Sequence, residues 1–305
     1  MEQVNLRGER RAQIEFGRLR DLWFMWSLCN LECAHCYVGS SPRNQTLELL
    51  SLDDIKPFLR EGAEMGMEHV YFTGGEPFAN REILSMIEEA GRFALVTVLS
   101  NGTGPIAKYL GDLGRFKDVL TLRISLDHFD RERHDAVRGK GAFDATCATV
   151  RRLCLLGFVP VITVTPLVFE ATPVTFDEAV RAFESLFEGL DVRIKILPST
   201  LRMGGEVRRT GAPGPVPFLT ERQMAEVNLE DFQCHYSRCV QKIAGRLRVY
   251  PCPIIYNDPG FELGATLRES ARRVPLAHHG CVGFCYKFRG KCGDVQLAKS
   301  HTRGM

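Results

Sequence analysis

From about residue 21 to residue 198, short β-rich runs alternate with amphipathic stretches of helical length. We predict strands at 22–28, 68–73, 94–99, 119–126, 158–165 and 191–197. Between them we predict helices at 51–66, 79–92, 104–115, 142–157 and 174–188. Strands that alternate with helices form parallel βαβ units with right-handed crossovers. The predicted strands are too few for a closed eight-stranded barrel, so this alternation indicates an open partial barrel or a doubly wound sheet.

The composition is that of an ordinary globular protein. Of 305 residues, 45% are hydrophobic and 25% are charged. The formal net charge is only +2, so nothing in the charge balance favours a polyanionic partner such as nucleic acid. The charged N-terminus lacks the apolar core of a secretory signal, and no apolar run approaches the roughly 18 residues of a membrane span. We therefore expect a cytoplasmic protein without membrane or nucleic-acid partners.

Cysteine is the unusual residue of this chain. There are 11, of which three lie within 29–36 and six within 234–292. In the reducing cytoplasm, clustered cysteines indicate metal binding rather than disulfides. The remaining two, Cys147 and Cys154, lie on one face of the predicted helix at 142–157, and we expect them to be plain core thiols.

The first cluster has the spacing C-x3-C-x2-C and directly follows the first predicted strand. Its members are Cys29, Cys33 and Cys36. Three thiolates from one loop suit an iron–sulfur cubane with one iron left open, or a zinc ion completed by another side chain. His35 is the obvious fourth ligand for zinc, so this spacing leaves both alternatives open.

Polar and glycine residues follow the next three predicted strands where each one ends. In chain order they are Gly74, Gly75, Glu76, Ser100, Asn101 and Ser125, and Arg138 lies a short distance further on. Paired glycines let the backbone approach a ligand closely, and Glu76 offers an acceptor for an amino group. The carboxyl ends of parallel strands meet at one edge of a sheet, where ligands bind. We therefore predict one site that combines these residues with the three cysteines.

With this combination, the chain resembles the radical S-adenosylmethionine (SAM) enzymes over most of residues 21–198. The resemblance implies that the three cysteines hold a 4Fe–4S cluster whose open iron is chelated by SAM. It also implies that Gly74, Gly75 and Glu76 meet the methionyl amino group of SAM. One departure is His35, which stands where the family usually has an aromatic residue, and this puts only the local packing in doubt.

The same resemblance implies contacts for the remainder of the SAM molecule. Ser100 and Asn101 would lie near the ribose, and Tyr37 would lie against the adenine. Ser125 and Arg138 would bind the carboxylate, Arg138 by charge-assisted hydrogen bonds. The implied chemistry is one-electron reductive cleavage of SAM and hydrogen abstraction from substrate by a 5′-deoxyadenosyl radical, and the implied electron donor is a protein of the flavodoxin or ferredoxin type.

The second cysteine cluster resembles the twitch and SPASM extensions of these enzymes, which bind auxiliary 4Fe–4S clusters. The interval from Cys234 to Cys252 and the close pair Cys281 and Cys285 are similar to the single-cluster twitch version. The resemblance implies these four as ligands of one auxiliary cluster, which would aid oxidation or bind substrate. The alternates are Cys239 and Cys292. A structural zinc site is the other interpretation, and its candidate histidine ligands are His235, His278 and His279.

We therefore expect an α/β fold: a partial (β/α)6 TIM-like barrel of parallel strands with a small C-terminal cysteine-rich iron–sulfur domain. The expected divisions are an N-terminal extension at 1–20, the barrel at 21–198, a linker with a helix at 199–230, the auxiliary domain at 231–293 and a tail at 294–305. The expected substrate is a small polar natural-product-type molecule or a peptide. A peptide-modifying enzyme that uses a separate recognition protein is one alternative, and a non-catalytic iron–sulfur or zinc-binding protein is another.

Overall fold

The computed structural model describes residues 10–165, 174–197 and 218–287, together with Arg289 and Cys292. Most of the predicted linker, up to residue 217, and the predicted tail at 294–305 lie outside the described residues.

The six predicted barrel strands are all present, with ends shifted by three residues at most. They are β2 (Asp21–Trp26), β3 (His69–Gly74), β4 (Leu95–Ser100), β5 (Leu120–Ser125), β6 (Val161–Val164) and β7 (Arg193–Ile196). Each is parallel to the next, and their order in the sheet is their order in the chain. A doubly wound sheet requires a reversal of strand order. The uninterrupted order therefore decides for the partial barrel.

Helices connect these strands. They are α1 (Leu52–Glu64), α2 (Ile83–Gly91), α3 (Gly104–Ala107), α4 (Leu110–Leu113), α5 (Arg131–Arg138), α6 (Ala142–Leu155) and α7 (Phe176–Leu186). The helix predicted at 104–115 is broken into α3, α4 and a 3-10 turn at Gly114–Phe116. Glycine is a poor helix former, and two glycines in the second half of this stretch weaken a continuous helix.

Helix α5 was not among the predicted helices because its sequence is almost wholly polar. Its N-cap is Asp130, whose side chain accepts a hydrogen bond from the backbone N–H of Arg133. By contrast, α1 begins as predicted at Ser51. The Ser51 hydroxyl accepts from the Asp54 N–H at 3.1 Å, and the Asp54 carboxylate accepts from the Ser51 N–H at 2.8 Å.

A β-hairpin extends the barrel sheet beyond its first strand. Strand β8 (Ser237–Ile243) lies parallel to β2, and β9 (Arg246–Tyr250) lies antiparallel to β8. The hairpin turns at Ala244 and Gly245, and both have positive φ, at 49° and 72°. The cysteine-rich segment therefore begins inside the same sheet as the barrel.

The described part of the N-terminal segment packs on this C-terminal region. Strand β1 (Gln13–Ile14) pairs with β10 (Val274–Pro275) in a separate two-stranded sheet. The helix predicted at about 220–230 is a single turn at Glu221–Met224, followed by a 3-10 turn at Leu229–Asp231. No helix in the described ranges is long and apolar enough to cross a membrane.

Two apolar clusters lie on the two faces of the sheet. The first, between strands and helices, includes Cys147 of α6, which is 7% exposed, and Cys154 packs against its edge. The second, inside the barrel, includes Trp23 and Tyr71, whose rings stack at 4.0 Å, and it continues into the C-terminal cysteines. The barrel interior and the cysteine-rich segment thus share one core.

The hairpin turn provides a test of the fold. Ala244 occupies a left-handed conformation that a β-carbon disfavours, so Ala244→Gly should stabilise the protein by about 0.5–1 kcal/mol. The matched control is Ala148→Gly on the exposed face of α6, which should destabilise it by about 1 kcal/mol. Urea unfolding measures both substitutions. Destabilisation by Ala244→Gly would contradict the turn conformation.

Candidate functional site

A cavity inside the barrel brings most of the predicted site residues together. Its wall contains all three cysteines of the first cluster and twelve barrel-strand residues or their immediate neighbours. The predicted site residues in this wall are Cys29, Cys33, Cys36, Tyr37, Gly74, Gly75, Ser100, Asn101, Ser125, Arg138 and Cys292. Glu76 is not part of this wall. The cavity is closed on the far side by Pro253, Ile254 and Phe284 from the cysteine-rich segment.

The loop after β2 carries the three cysteines to the cavity. Cys29 is buried, and burial raises the pKa of its thiol to about 12, while Cys33 and Cys36 are half-buried. Backbone and side-chain donors point at two of the sulfurs: the Leu31 N–H lies 3.4 Å from Cys29 Sγ, and the Ser40 N–H lies 3.3 Å from Cys36 Sγ. Free thiols in a low-polarity wall, with N–H donors aimed at sulfur, fit the ligand environment of an iron–sulfur cluster.

The glycine pair after β3 is required by the backbone of the cysteine loop. A β-carbon at Gly74 would lie 2.1 Å from the carbonyl oxygen of Trp26, and one at Gly75 would lie 1.9 Å from that of Leu28. The close approach allows the N–H groups of Gly75 and Glu76 to donate to these two carbonyls at 2.7 and 2.9 Å. The immediate reason for two glycines is therefore contact with the strand that leads into the cysteines.

The Glu76 side chain is turned into the protein behind the cavity wall. It is fully buried, and its carboxylate accepts hydrogen bonds from the backbone N–H of Phe78 and of Asn101 and from the Ser100 hydroxyl, at 2.8–3.1 Å. Burial raises its pKa to about 7, although these donors oppose the rise. Its predicted contact with the methionyl amino group stays a prediction, because its carboxylate here bonds to Phe78 and to the end of β4.

Asn101 connects the end of β4 to the cysteine loop. Its side-chain Nδ2 donates to Asn30 Oδ1 at 2.9 Å and lies 3.7 Å from Cys29 Sγ. Its Oδ1 accepts from the N–H and hydroxyl of Thr103. Ser100 and Asn101 are thus both engaged in positioning the loop, and their predicted proximity to a ribose remains a prediction.

Asp127 joins three parts of the site. Its Oδ2 accepts from Arg138 Nε at 2.5 Å and lies 3.2 Å from His35 Nε2, and its Oδ1 accepts from the Thr165 N–H at 3.1 Å. Burial favours the neutral acid, but the Arg138 guanidinium and His35 hold the pKa of Asp127 well below its usual range. His35 therefore faces a carboxylate, and the zinc interpretation that makes it a ligand finds no support in its position.

The remaining predicted contacts also lie in the wall. Ser125 ends β5, and the hydroxyl of Tyr37 donates to the Pro253 carbonyl at 3.3 Å, which joins the cysteine loop to the C-terminal segment. Among the polar wall residues that the sequence analysis did not predict are Arg123 and Thr163. Alternation along β5 could have identified the first, because Arg123 lies two residues before Ser125 and so faces the same side.

The four thiols predicted for the auxiliary site lie near one another. Cys234, Cys252, Cys281 and Cys285 are all buried, and burial raises the pKa of each. The pKa of Cys285 is raised further by the other three. Cys239 is buried in β8 and accepts a hydrogen bond from Gln241. The sixth thiol, that of Cys292, lies in the cavity wall, although it also neighbours Cys252 and Cys285.

The arrangement of these groups differs from that of a single-ion site. Across the ranges described above, no three Cys, His, Asp or Glu side chains are placed to hold one metal ion. A mononuclear zinc site needs all its ligands within about 2.3 Å of one point. A cubane instead takes one thiolate at each iron corner, so its ligands are spread over a larger volume.

The sequence matches the radical SAM superfamily over residues 24–183, just over half of the chain. The subtilosin biosynthesis protein AlbA of Bacillus subtilis is 38% identical over 129 residues, which are 41% of this chain and 28% of AlbA. The mycofactocin maturase MftC of Mycolicibacterium smegmatis is 31% identical over 150 residues, 48% of this chain and 38% of MftC. The matched segment is thus well under half of either relative.

The fold is similar to that of Streptococcus suis SuiB. SuiB bound to S-adenosylmethionine superposes with a TM-score of 0.60 at 16% identity, covering 87% of this chain and 68% of SuiB. SuiB bound to its precursor peptide SuiA gives a TM-score of 0.56 at 14% identity, covering 81% and 62%. At such low identity the similarity shows a shared fold, which agrees with the partial barrel described above.

The glycine contact generates a prediction. Gly75→Ala places a methyl group against the Leu28 carbonyl and should destabilise the protein by more than about 3 kcal/mol, because backbone must move. The control is Gly104→Ala, where no atom lies within 4 Å of the added carbon and the protein should be unaffected or slightly stabilised. Thermal unfolding of the two variants, side by side, measures the difference. Equal midpoints would show that the two strand ends are not in contact.

Proposed function

The chain belongs to the radical SAM superfamily, and on that premise we propose that it cleaves S-adenosylmethionine reductively and abstracts a hydrogen atom from a substrate in the same cavity. The observation that carries the proposal is the shared cavity wall of Cys29, Cys33 and Cys36 with the ends of β3, β4 and β5. When bound by three thiolates, a reduced 4Fe–4S cluster supplies the electron for SAM cleavage to the 5′-deoxyadenosyl radical.

The chain's own part in this reaction is to hold SAM in one orientation. Arg138 donates a hydrogen bond from Nε to the Asp127 carboxylate, while its two Nη nitrogens have no hydrogen-bond partner in the described part of the chain. We assign those nitrogens to the SAM carboxylate, together with the Ser125 hydroxyl, because charge-assisted bonds to a carboxylate are strong and directional. Asp127 then fixes the guanidinium plane and keeps it beside Cys33. The Arg138 charge lowers the pKa of the Cys33 thiol, although the larger effect of burial raises it.

The apolar part of the wall protects the reactive species. Trp23, Leu99, Ile254 and Phe284 line the cavity, and they come from two barrel strands and the cysteine-rich segment. A closed apolar wall excludes water and other hydrogen donors from a radical. The contribution of Ile254 and Phe284 supports a role for the C-terminal segment in enclosing the substrate.

We assign the auxiliary cluster to Cys234, Cys252, Cys281 and Cys285. Their mutual proximity and burial support this set over one that includes Cys239, which is bonded to Gln241 within β8. Pro253 and Phe284, direct neighbours of two of these cysteines, lie in the cavity wall. An auxiliary cluster at this place would border the substrate, where it can accept an electron from a substrate radical or bind the substrate directly.

For the substrate we propose a peptide. SuiB, which shares the fold, has been solved with a precursor peptide, and MftC is named as a maturase. A small polar molecule is the alternative. We further propose that the enzyme works in the cytoplasm, without nucleic acid or membrane, and receives electrons from a flavodoxin- or ferredoxin-type protein.

Anaerobic reconstitution tests the proposal. We expect about eight irons per chain and formation of 5′-deoxyadenosine under reductant. The triple variant Cys29→Ala, Cys33→Ala, Cys36→Ala should lose SAM cleavage but keep about four irons. The quadruple Ala variant of the auxiliary set should also keep about four irons, while uncoupled SAM cleavage continues.

Cys154→Ala is the matched control, because this thiol lies at the edge of the helix-side core and should leave both iron content and cleavage unchanged. Zinc in place of iron, or an intact reduced cluster that leaves SAM uncleaved, would overturn the function. Loss of all iron from the triple variant would show that the C-terminal cysteines hold no independent cluster.

A further inference from the structure

The cavity contains a buried guanidinium that the proposed SAM contacts do not use. Arg123 lies on β5, two residues before Ser125, and its side chain belongs to the cavity wall. It is only 2% exposed. A charged group buried inside the barrel requires compensation, because its removal from water is costly.

The described residues offer Arg123 hydrogen bonds but no opposite charge. Its Nε donates to the Thr163 hydroxyl at 3.3 Å and its Nη1 donates to the Cys292 carbonyl at 2.5 Å, while Nη2 has no hydrogen-bond partner in the described chain. None of the ion pairs among these residues includes Arg123. Burial lowers its pKa, and the titratable groups that oppose this effect are Cys292, Tyr71 and Tyr37, all neutral at pH 7 in their ordinary form.

A second cation lies in the adjoining part of the barrel. Lys195 of β7 is in register with Thr163 of β6, and its Nζ donates to the same Cys292 carbonyl at 3.2 Å. Two cationic side chains therefore donate to the same backbone oxygen, so this position suits an oxygen acceptor. For Arg123, a neutral carbonyl compensates only part of its charge.

Comparison with the other buried arginines shows how unusual the surroundings of Arg123 are. Arg138 is paired with Asp127. Arg238 donates from all three of its nitrogens to backbone carbonyls, those of Cys234, Ser237 and Ser270. Among the residues that the structure describes, Arg123 has neither an acidic partner nor carbonyl acceptors for all three nitrogens, and it faces a cavity.

We propose that Arg123 binds a carboxylate of the substrate, with Lys195 adding positive potential. The carboxylate is that of an acidic side chain or of a peptide C-terminus, and a planar guanidinium with a free Nη2 suits either. This inference rests on the proposed function, since it takes the cavity to be the substrate site. The two are tested separately, because binding of a carboxylate can be measured without SAM cleavage.

The test uses three blocked amino acids on the reconstituted, SAM-loaded chain. N-acetylglutamate α-amide has a side-chain carboxylate, N-acetylglutamine has only a terminal one, and N-acetylglutamine α-amide has none. Equilibrium dialysis should show at least one acid bound about 10- to 100-fold more tightly than the neutral probe. Which acid is preferred identifies the source of the carboxylate, and either preference supports the proposal.

In Arg123→Gln this preference should vanish, while Arg123→Lys should keep part of it. The control is Arg131→Gln, the same substitution at a surface arginine that pairs with Asp144, where the preference should be unchanged. Equal binding of all three probes to the unsubstituted chain, or a preference that survives Arg123→Gln, would overturn the proposal. Tighter binding of inorganic phosphate than of either acid would assign the cation to a phosphorylated substrate instead.

Two further measurements separate substrate binding from a structural role. Arg123→Gln should retain about eight irons and uncoupled SAM cleavage, and a fall to about four irons would assign Arg123 to the auxiliary cluster. Arg123→Met should unfold at the same or a higher temperature, because an uncompensated charge is removed. Arg238→Met should unfold at least about 5 °C lower, because it leaves buried carbonyls without donors. A comparable loss for Arg123→Met would make its role structural.

Discussion

The contact between the ends of β2 and β3 is the constraint on which the rest of the site depends. Gly75 and Glu76 donate to the carbonyls of Trp26 and Leu28, so the chain entering the cysteine loop is held by backbone rather than by side chains. Backbone contact at this distance excludes any β-carbon. From there, Glu76 bonds to the end of β4, and Asn101 of that strand end reaches Cys29. A continuous series of hydrogen bonds thus leads from the sheet to the first sulfur.

Asp127 anchors the other side of the same loop. It is fully buried, and it holds His35 from the cysteine loop, Arg138 from α5 and the backbone of Thr165 after β6. The histidine of the cysteine motif thus has a partner that a phenylalanine at this position could not hydrogen-bond. The loop is fixed at both ends before any ligand binds, which favours a preorganised site.

The charges of the cavity are unevenly distributed. Toward the cysteine loop, the charge of Arg138 is compensated by Asp127. Toward β6 and β7, Arg123 and Lys195 converge on a single carbonyl. Since β8 lies directly beside β2, the cysteine-rich segment closes the cavity between these two regions. The arrangement separates the half that we propose holds SAM from the half that we propose receives an anionic substrate group.

The sequence by itself determined the six strands and the position of Cys29, Cys33 and Cys36 after β2, whereas the order of the strands in the sheet decided for the partial barrel over a doubly wound sheet. It could do so because hydrophobic period, capping residues and motif spacing are local properties of the chain. The breaks in the helix at 104–115 and the polar helix α5 were not predicted, because their residues give only a weak local signal of secondary structure. The direction of the Glu76 carboxylate, the Asp127 contacts and the position of Arg123 in the cavity wall were decided only by tertiary structure. Each depends on residues that are distant in sequence and become neighbours only when parallel strands align, as when β8 pairs with β2.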